Sequence, residues 1–260
     1  LKKFYNSSFD VENFKKQLKM KKSFSSSKRN VLVKELLSQY SDIKDKKVLK
    51  NINLLSKKST FTITTGHQLC ILTGPIFFVY KIISVINMCV RLKKEYPENN
   101  FLPVFWLASE DHDFEEISEV YFRDKKINYS TKAKGSVGRM KLEDFKPFLD
   151  QIFKFFPTNN LAKRIKKIIT TAYKDKFTLA GATRSLIHQL FGDKGLIIID
   201  PDSHDLKKMF SSYMEDELIN NTCQECVNKT VKSIKEVYSE KYIPQVNPRE
   251  INLFHLNLNS

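Results

Sequence analysis

The spacing of hydrophobic positions changes several times along the chain, and each change marks an element. In residues 1–58, Leu32, Leu36, Tyr40 and Ile43 recur at helical spacing among lysines. That predicts two or three amphipathic helices, with residues 23–27 as a polar break between the first two. Residues 60–65 then alternate and are rich in β-branched side chains, which predicts a strand ending at Gly66. Ile76, Val79, Ile83, Ile86 and Val90 form a helical stripe, and Pro75 suits the first turn, where a missing N–H costs nothing. Residues 102–107 are a short apolar run, predicted as a buried strand. Val120–Tyr121–Phe122 and Ile127–Asn128–Tyr129 flank the polar turn Asp124–Lys125–Lys126, as in a hairpin. Residues 143–174 read as helix broken at Pro157, and 178–191 as a further helix stopped by Gly192. Residues 196–199 are continuously apolar and end in Asp200, as a central parallel strand does. One long polar helix over 204–240 and a strand near 251–258 complete the pattern.

Three strand-then-helix units around one core predict an α/β fold with a mostly parallel sheet and an N-terminal helical extension over 1–58. In such folds ligands bind beyond the carboxyl ends of the strands. This singles out three places: 65–74, 109–113 and 200–202.

Composition changes this picture little. With 260 residues, 41% hydrophobic and 28% charged, the chain is an ordinary globular one. The net charge of +15 invites a nucleic-acid reading, but residues 1–58 carry 16 Lys and Arg against 5 Asp and Glu, so +11 of it falls there. No nucleic-acid motif accompanies the charge, and none is expected as a partner. Residues 1–30 are basic and polar without a leader pattern. The apolar run 76–90 is broken by Lys81, Ser84 and Asn87, too short and polar to span a bilayer. Four cysteines are too few for a disulfide-stapled domain. The expectation is a reduced, cytoplasmic protein without a membrane partner. A first residue that is Leu and a strand-like end suggest a piece of a longer protein.

The chemistry concentrates at the three places. Thr65, Gly66, His67 and Gln68, followed by Thr73 and Gly74, join the first strand to its helix. Gly66 would let the chain turn sharply. A helix starting near Gly74 would offer free N–H groups to a phosphate or carboxylate, aided by Thr65, His67 and Thr73. The segment is neither a P-loop nor a dinucleotide fingerprint, and it could equally be an ordinary turn. Glu110, Asp111, His112 and Asp113 crowd three carboxylates and an imidazole at the end of the second strand. That is costly unless the cluster binds a cation or an amine or moves protons, with His112 as general base. The alternative is an acidic loop capping a helix. No complete metal-ligand set assembles, so no metal is expected. Asp200 and Asp202, near His204, fit a site or a turn equally. Arg249, close to Asn252, could clamp a carboxylate or phosphate, or form a surface ion pair. Cys223 and Cys226 have metal or redox spacing but lie within the long polar helix without a second pair, and Cys70 reads as a structural thiol.

These motifs together resemble a family. The run Thr65–Gly66–His67–Gln68, then Leu72–Thr73–Gly74–Pro75 and Tyr80–Lys81, is similar to the cysteine-adding enzyme of bacillithiol biosynthesis. His67 stands where that family commonly has Gln. The strongest match is Pro103–Val104–Phe105–Trp106–Leu107–Ala108–Ser109–Glu110–Asp111–His112–Asp113–Phe114. Gly195–Leu196–Ile197–Ile198–Ile199–Asp200–Pro201 and the run from Gln245 through Arg249 and Asn252 to Phe254 follow in the same order. The resemblance implies a Rossmann-like core over 59–120 and 176–260, with 121–175 as an inserted α+β connecting segment. It implies a ligase that adds cysteine to glucosaminyl-malate, with ATP or another nucleotide suspected as the activating group. It also implies a longer protein that dimerises through a coiled coil absent here. A rival reading remains: a non-catalytic module holding a nucleotide, an anionic metabolite or RNA, through Lys15, Lys16, Lys19, Lys21 and Lys22. A steep salt dependence of RNA binding would favour it.

Overall fold

In the computed structural model, residues 2–8, 10–122, 124–131, 135–142, 145–174, 178–245, 247–251 and 253 are described, Glu116 by its backbone alone. Three helices come first: α1 (Val11–Lys21), α2 (Ser26–Gln39) and α3 (Lys46–Leu54). Strand β1 (Thr60–Gln68), helix α4 (Phe77–Glu95) and strand β2 (Asn100–Ala108) follow. Next are the short helix α5 (Phe114–Ile117) and the hairpin β3 (Glu119–Phe122) and β4 (Lys125–Asn128). Helices α6 (Phe145–Phe153), α7 (Asn160–Ala172) and α8 (Leu179–Phe191) lead to strand β5 (Ile197–Ile199). Helices α9 (His204–Lys208), α10 (Ser211–Asn220) and α11 (Thr222–Val237) close the order.

The chain forms two compact units, one from 1–17 with 204–260, the other from 18–203. The larger unit holds the sheet β1-β2-β5, parallel throughout. Its three strands lie where the hydrophobic pattern put them. Helix α4 covers one face: Phe78 meets Phe105 at 5.2 Å between ring centroids, and Ile82, Val85, Cys89 and Leu92 are buried on the same stripe. Residues 18–58 belong to this unit because their apolar side chains, Leu36, Tyr40, Val48, Ile52 and Leu55, are fully buried in it. The segment after the hairpin joins the same core through Leu142, Phe145 and Ile152. Each such buried side chain contributes about 1.5–3 kcal/mol.

Three local readings are corrected. Strand β1 does not stop before Gly66. It runs to Gln68, with Gly66 paired to Trp106 and His67 to Leu107. Gly66 therefore makes no turn; it permits close approach, since a Cβ there would sit 3.2 Å from both Cβ and O of Trp106. Helix α4 starts at Phe77 rather than near Gly74, because Leu72 and Gly74 have φ of 62° and 60°, which no right-handed helix admits. The long polar helix of 204–240 is three helices. Asn221, with φ 51°, breaks it between α10 and α11, and Asp216 holds the break by accepting from Asn220 and Thr222. The strand foreseen near 251–258 falls largely on residues outside those described.

Candidate active site

The carboxyl ends of the three strands bring the second and third motifs together. Gln68 pairs with Ala108, and Trp106 with Ile199, so Ser109 and Asp200 emerge side by side. Ser109 is 1% exposed, and its hydroxyl donates to Asp200 Oδ1 at 2.5 Å. The same oxygen accepts from the Asp202 N–H at 3.0 Å. The main chain of Asp200 is held from the N-terminal helices: its N–H donates to Gln39 Oε1 at 3.0 Å, and Gln39 Nε2 donates to its carbonyl at 2.9 Å.

The segment after the hairpin adds a residue that sequence reasoning missed. The Gly138 N–H donates to the Ser109 carbonyl at 2.9 Å, Ser136 Oγ donates to it at 2.5 Å, and the Val137 N–H donates to Asp111 O at 2.7 Å. This docking carries Arg139 to the edge, where Nε and one terminal nitrogen meet Asp202 at 2.6 and 2.9 Å, a bidentate pair. The hydrogen bond to Asp202, with that residue's charge and those of Glu110 and Asp200, raises the Arg139 pKa. The signal lay in two small residues close before Arg139, Ser136 and Gly138, which mark a close approach. The partner 63 residues away could not be read from them.

The acidic cluster is a short loop before α5. Asp111 Oδ1 accepts from the N–H groups of His112 and Asp113 at 2.8 and 3.4 Å, so this carboxylate also shapes the loop. Glu110 and His112 are exposed, His112 with its Nδ1 3.9 Å from Asp111 Oδ1. The edge thus presents Glu110, Asp111 and Asp113 to solvent beside an arginine fixed by Asp202. It can attract a cationic amine and offers an imidazole to take its proton.

The first motif is arranged differently. Thr65 and His67 point to the face covered by α4. The His67 ring packs 5.2 Å from Phe77 and 5.5 Å from Phe78. Its Nδ1 lies 2.8 Å from the Gln68 carbonyl, which can only accept, so Nδ1 carries the proton; Cys70 Sγ lies 3.7 Å from the same nitrogen. Thr73 and Gly74 line a separate cavity of about 600 Å³, walled mainly by Ile71, Val120, Phe122, Ile152, Phe156 and Leu186. None of Glu110–Asp113, Asp200 or Asp202 borders it. Arg249 belongs to the other unit, and Asn252 lies outside the described residues. Cys223 and Cys226 are exposed thiols at the start of α11. No helix among the described residues is long and apolar enough to cross a membrane.

A parallel sheet flanked by helices, with polar groups gathered at its carboxyl edge, defines a Rossmann-like α/β domain; in folds of this class ligands bind beyond that edge. Residues 1–260 match the family described as "Bacillithiol biosynthesis BshC, N-terminal Rossmann-like domain". The chain belongs to this family. It is 44% identical over 262 residues to the "Putative cysteine ligase BshC" of Flavobacterium psychrophilum, covering 100% of this chain and 48% of that protein. The protein of the same name in Flavobacterium johnsoniae is 44% identical over 261 residues, with 100% and 48% covered. That of Bacillus cytotoxicus is 30% identical over 237 residues, with 87% and 44% covered. The chain spans about half the length of the curated relatives it matches.

Proposed function

We propose that this chain is the N-terminal half of a cytoplasmic, homodimeric ligase that joins cysteine to the amine of glucosaminyl-malate, the last step of bacillithiol synthesis. Supporting this are the relatives' names and, above all, the polar edge where Ser109, Asp200, Asp202 and Arg139 hold the acidic loop in place. Amide formation needs an activated carboxylate and a deprotonated amine. Activation by a nucleoside triphosphate supplies the first. The second falls to this edge. A sugar ammonium is drawn to Glu110, Asp111 and Asp113, and His112 or one of these carboxylates removes its proton before attack. The Arg139–Asp202 pair keeps the edge rigid by tying the segment after the hairpin to the end of β5.

The test replaces Asp111 and His112 separately with Asn in the full-length protein, and measures folding and product formation. Activity falls about 100-fold in at least one variant with folding intact, as removal of a proton-transfer or amine-binding group does. Wild-type activity in both variants removes the loop from the mechanism and leaves it as a helix cap.

A further inference from the structure

Helix α4 is apolar on two opposite faces, and the described residues cover one of them. Phe78, Ile82, Val85, Cys89 and Leu92, spaced four, three, four and three apart, are buried on the side that meets the sheet. Ile76, Tyr80, Ile83, Asn87 and Val90 repeat that spacing two residues earlier. Two residues are about 200° of helical turn, so the second stripe lies across the helix from the first. All five of its residues are exposed, the four apolar ones by 40–67%.

The solvent side of a surface helix carries charge, and a helix apolar on both sides belongs between two layers. Residues 77–90 contain one charged side chain, Lys81, and it is turned back. Its Nζ lies 5.4 Å from the Phe77 ring centroid and donates to the Gly66 carbonyl at 3.4 Å. The spacing also says what the second layer is. A four-three repeat is the seam of helix-on-helix packing, with Ile76, Ile83 and Val90 at d positions, Tyr80 and Asn87 at a positions, and the polar Asn87 able to fix the register. The stripe runs about 21 Å along the axis, long enough for a full helix.

Two features single out the occupant. β-Branched residues at d and not at a do not suit parallel pairing of α4 with itself. Its last turn carries Arg91, Lys93 and Lys94 against Glu95 alone, so two copies side by side would set like charges together, whereas an acidic flank would match them. Run antiparallel about Ile83, a second copy would set those residues beside 72–75, which are not helical, Leu72 and Gly74 having positive φ. A helix from elsewhere in the same protein meets neither obstacle. The curated relatives that match all of this chain extend it by about as many residues again.

We propose that the outer stripe of α4 docks a helix of the C-terminal half of the full-length protein, one with a matching four-three apolar stripe and acidic residues beside Arg91 and Lys94. This docking rests on the reading of the chain as half of a longer protein and is independent of the reaction.

The experiment places the photoreactive residue p-benzoylphenylalanine at Tyr80 of the purified full-length protein and maps the cross-linked peptide by mass spectrometry. A peptide from beyond residue 260 upholds the docking. Cross-linking to residues 77–95 of a second copy identifies self-pairing and overturns it, as does cross-linking confined to residues 1–260, or none in folded protein. Should the Tyr80 variant not fold, Asn87→p-benzoylphenylalanine takes its place and is judged in the same way. Adding Ile83→Lys puts an ammonium into the seam and lowers the yield of that cross-link about tenfold or more. An undiminished yield would show that the contact does not run through the stripe, and would overturn the proposal. The readout is contact and not product, so failure of the ligase reading leaves this result standing, and the reverse.

Discussion

Gly138 is where the segment after the hairpin touches Ser109, and replacing it with Ala tests whether that contact builds the edge. A Cβ there would lie 2.4 Å from Ser109 O, 2.5 Å from its Cβ and 2.8 Å from its Cα. None of these atoms is the tip of a flexible side chain, so the segment must lift. Overpacking of this kind costs about 1–3 kcal/mol. Loss of the Gly138 N–H to Ser109 O bond adds about 1 kcal/mol. Alanine's smaller unfolded-state entropy returns about 0.4–1 kcal/mol. The net is a loss of about 1–3.6 kcal/mol, which for a unit of this size lowers Tm by about 2–14 °C. Circular dichroism on heating measures it. Gly66→Ala is the internal control. Its Cβ would be 3.2 Å from Trp106 atoms, so it costs less, about 1 kcal/mol. A Gly138→Ala variant melting within about 1 °C of wild type would refute the reasoning, as would Gly66→Ala being the more damaging change.

Two more predictions follow from buried groups. His188 has a buried, unpartnered Nδ1, and burial lowers its pKa despite Asp45, 3.9 Å from Nε2. Below its ordinary value of 6.5 the unfolded chain therefore binds the proton more readily. Its neutral form supports full stability above about pH 6.5, and stability is lost as pH falls through that value toward the lower folded pKa. His188→Gln should flatten this part of a urea-midpoint profile, and an unchanged slope would exclude His188 as its source. Burial also pushes the Cys89 thiol up to about 12, whereas Cys223 and Cys226 are exposed. An aromatic disulfide reagent should label those two at once and Cys89 only after unfolding; equal rates would contradict the burial.

The parallel sheet was legible because its strands are short runs, alternating and β-branched in β1 and apolar in β2 and β5, whose character does not depend on distant partners. The placement of Asp200 and the acidic loop at neighbouring strand ends was legible because a strand's end can be seen in the chain. The course of β1 past Gly66 was not. Glycine, histidine and glutamine carry no strand signal, and pairing with 106–108 imposes the extended form. The start of α4 was misplaced because the positive φ of Leu72 is a tertiary choice; the Leu72 N–H donates to the hydroxyl of Tyr173, 101 residues away. Arg139 escaped notice because its meaning lies in Asp202, remote in sequence and invisible to periodicity.

The hold of Gln39 and Tyr40 on β5 has a consequence for how the sheet can be extended. The N–H groups of Ile198 and Asp200 and the carbonyl of Asp200 would face any neighbouring strand, and all three are occupied by side chains of the N-terminal helices. That border is sealed, as sheet borders must be if they are not to recruit other chains. Among the described residues, no strand pairs with β1 on its far side. The border at β5 therefore stays closed to a further strand for as long as α2 remains docked.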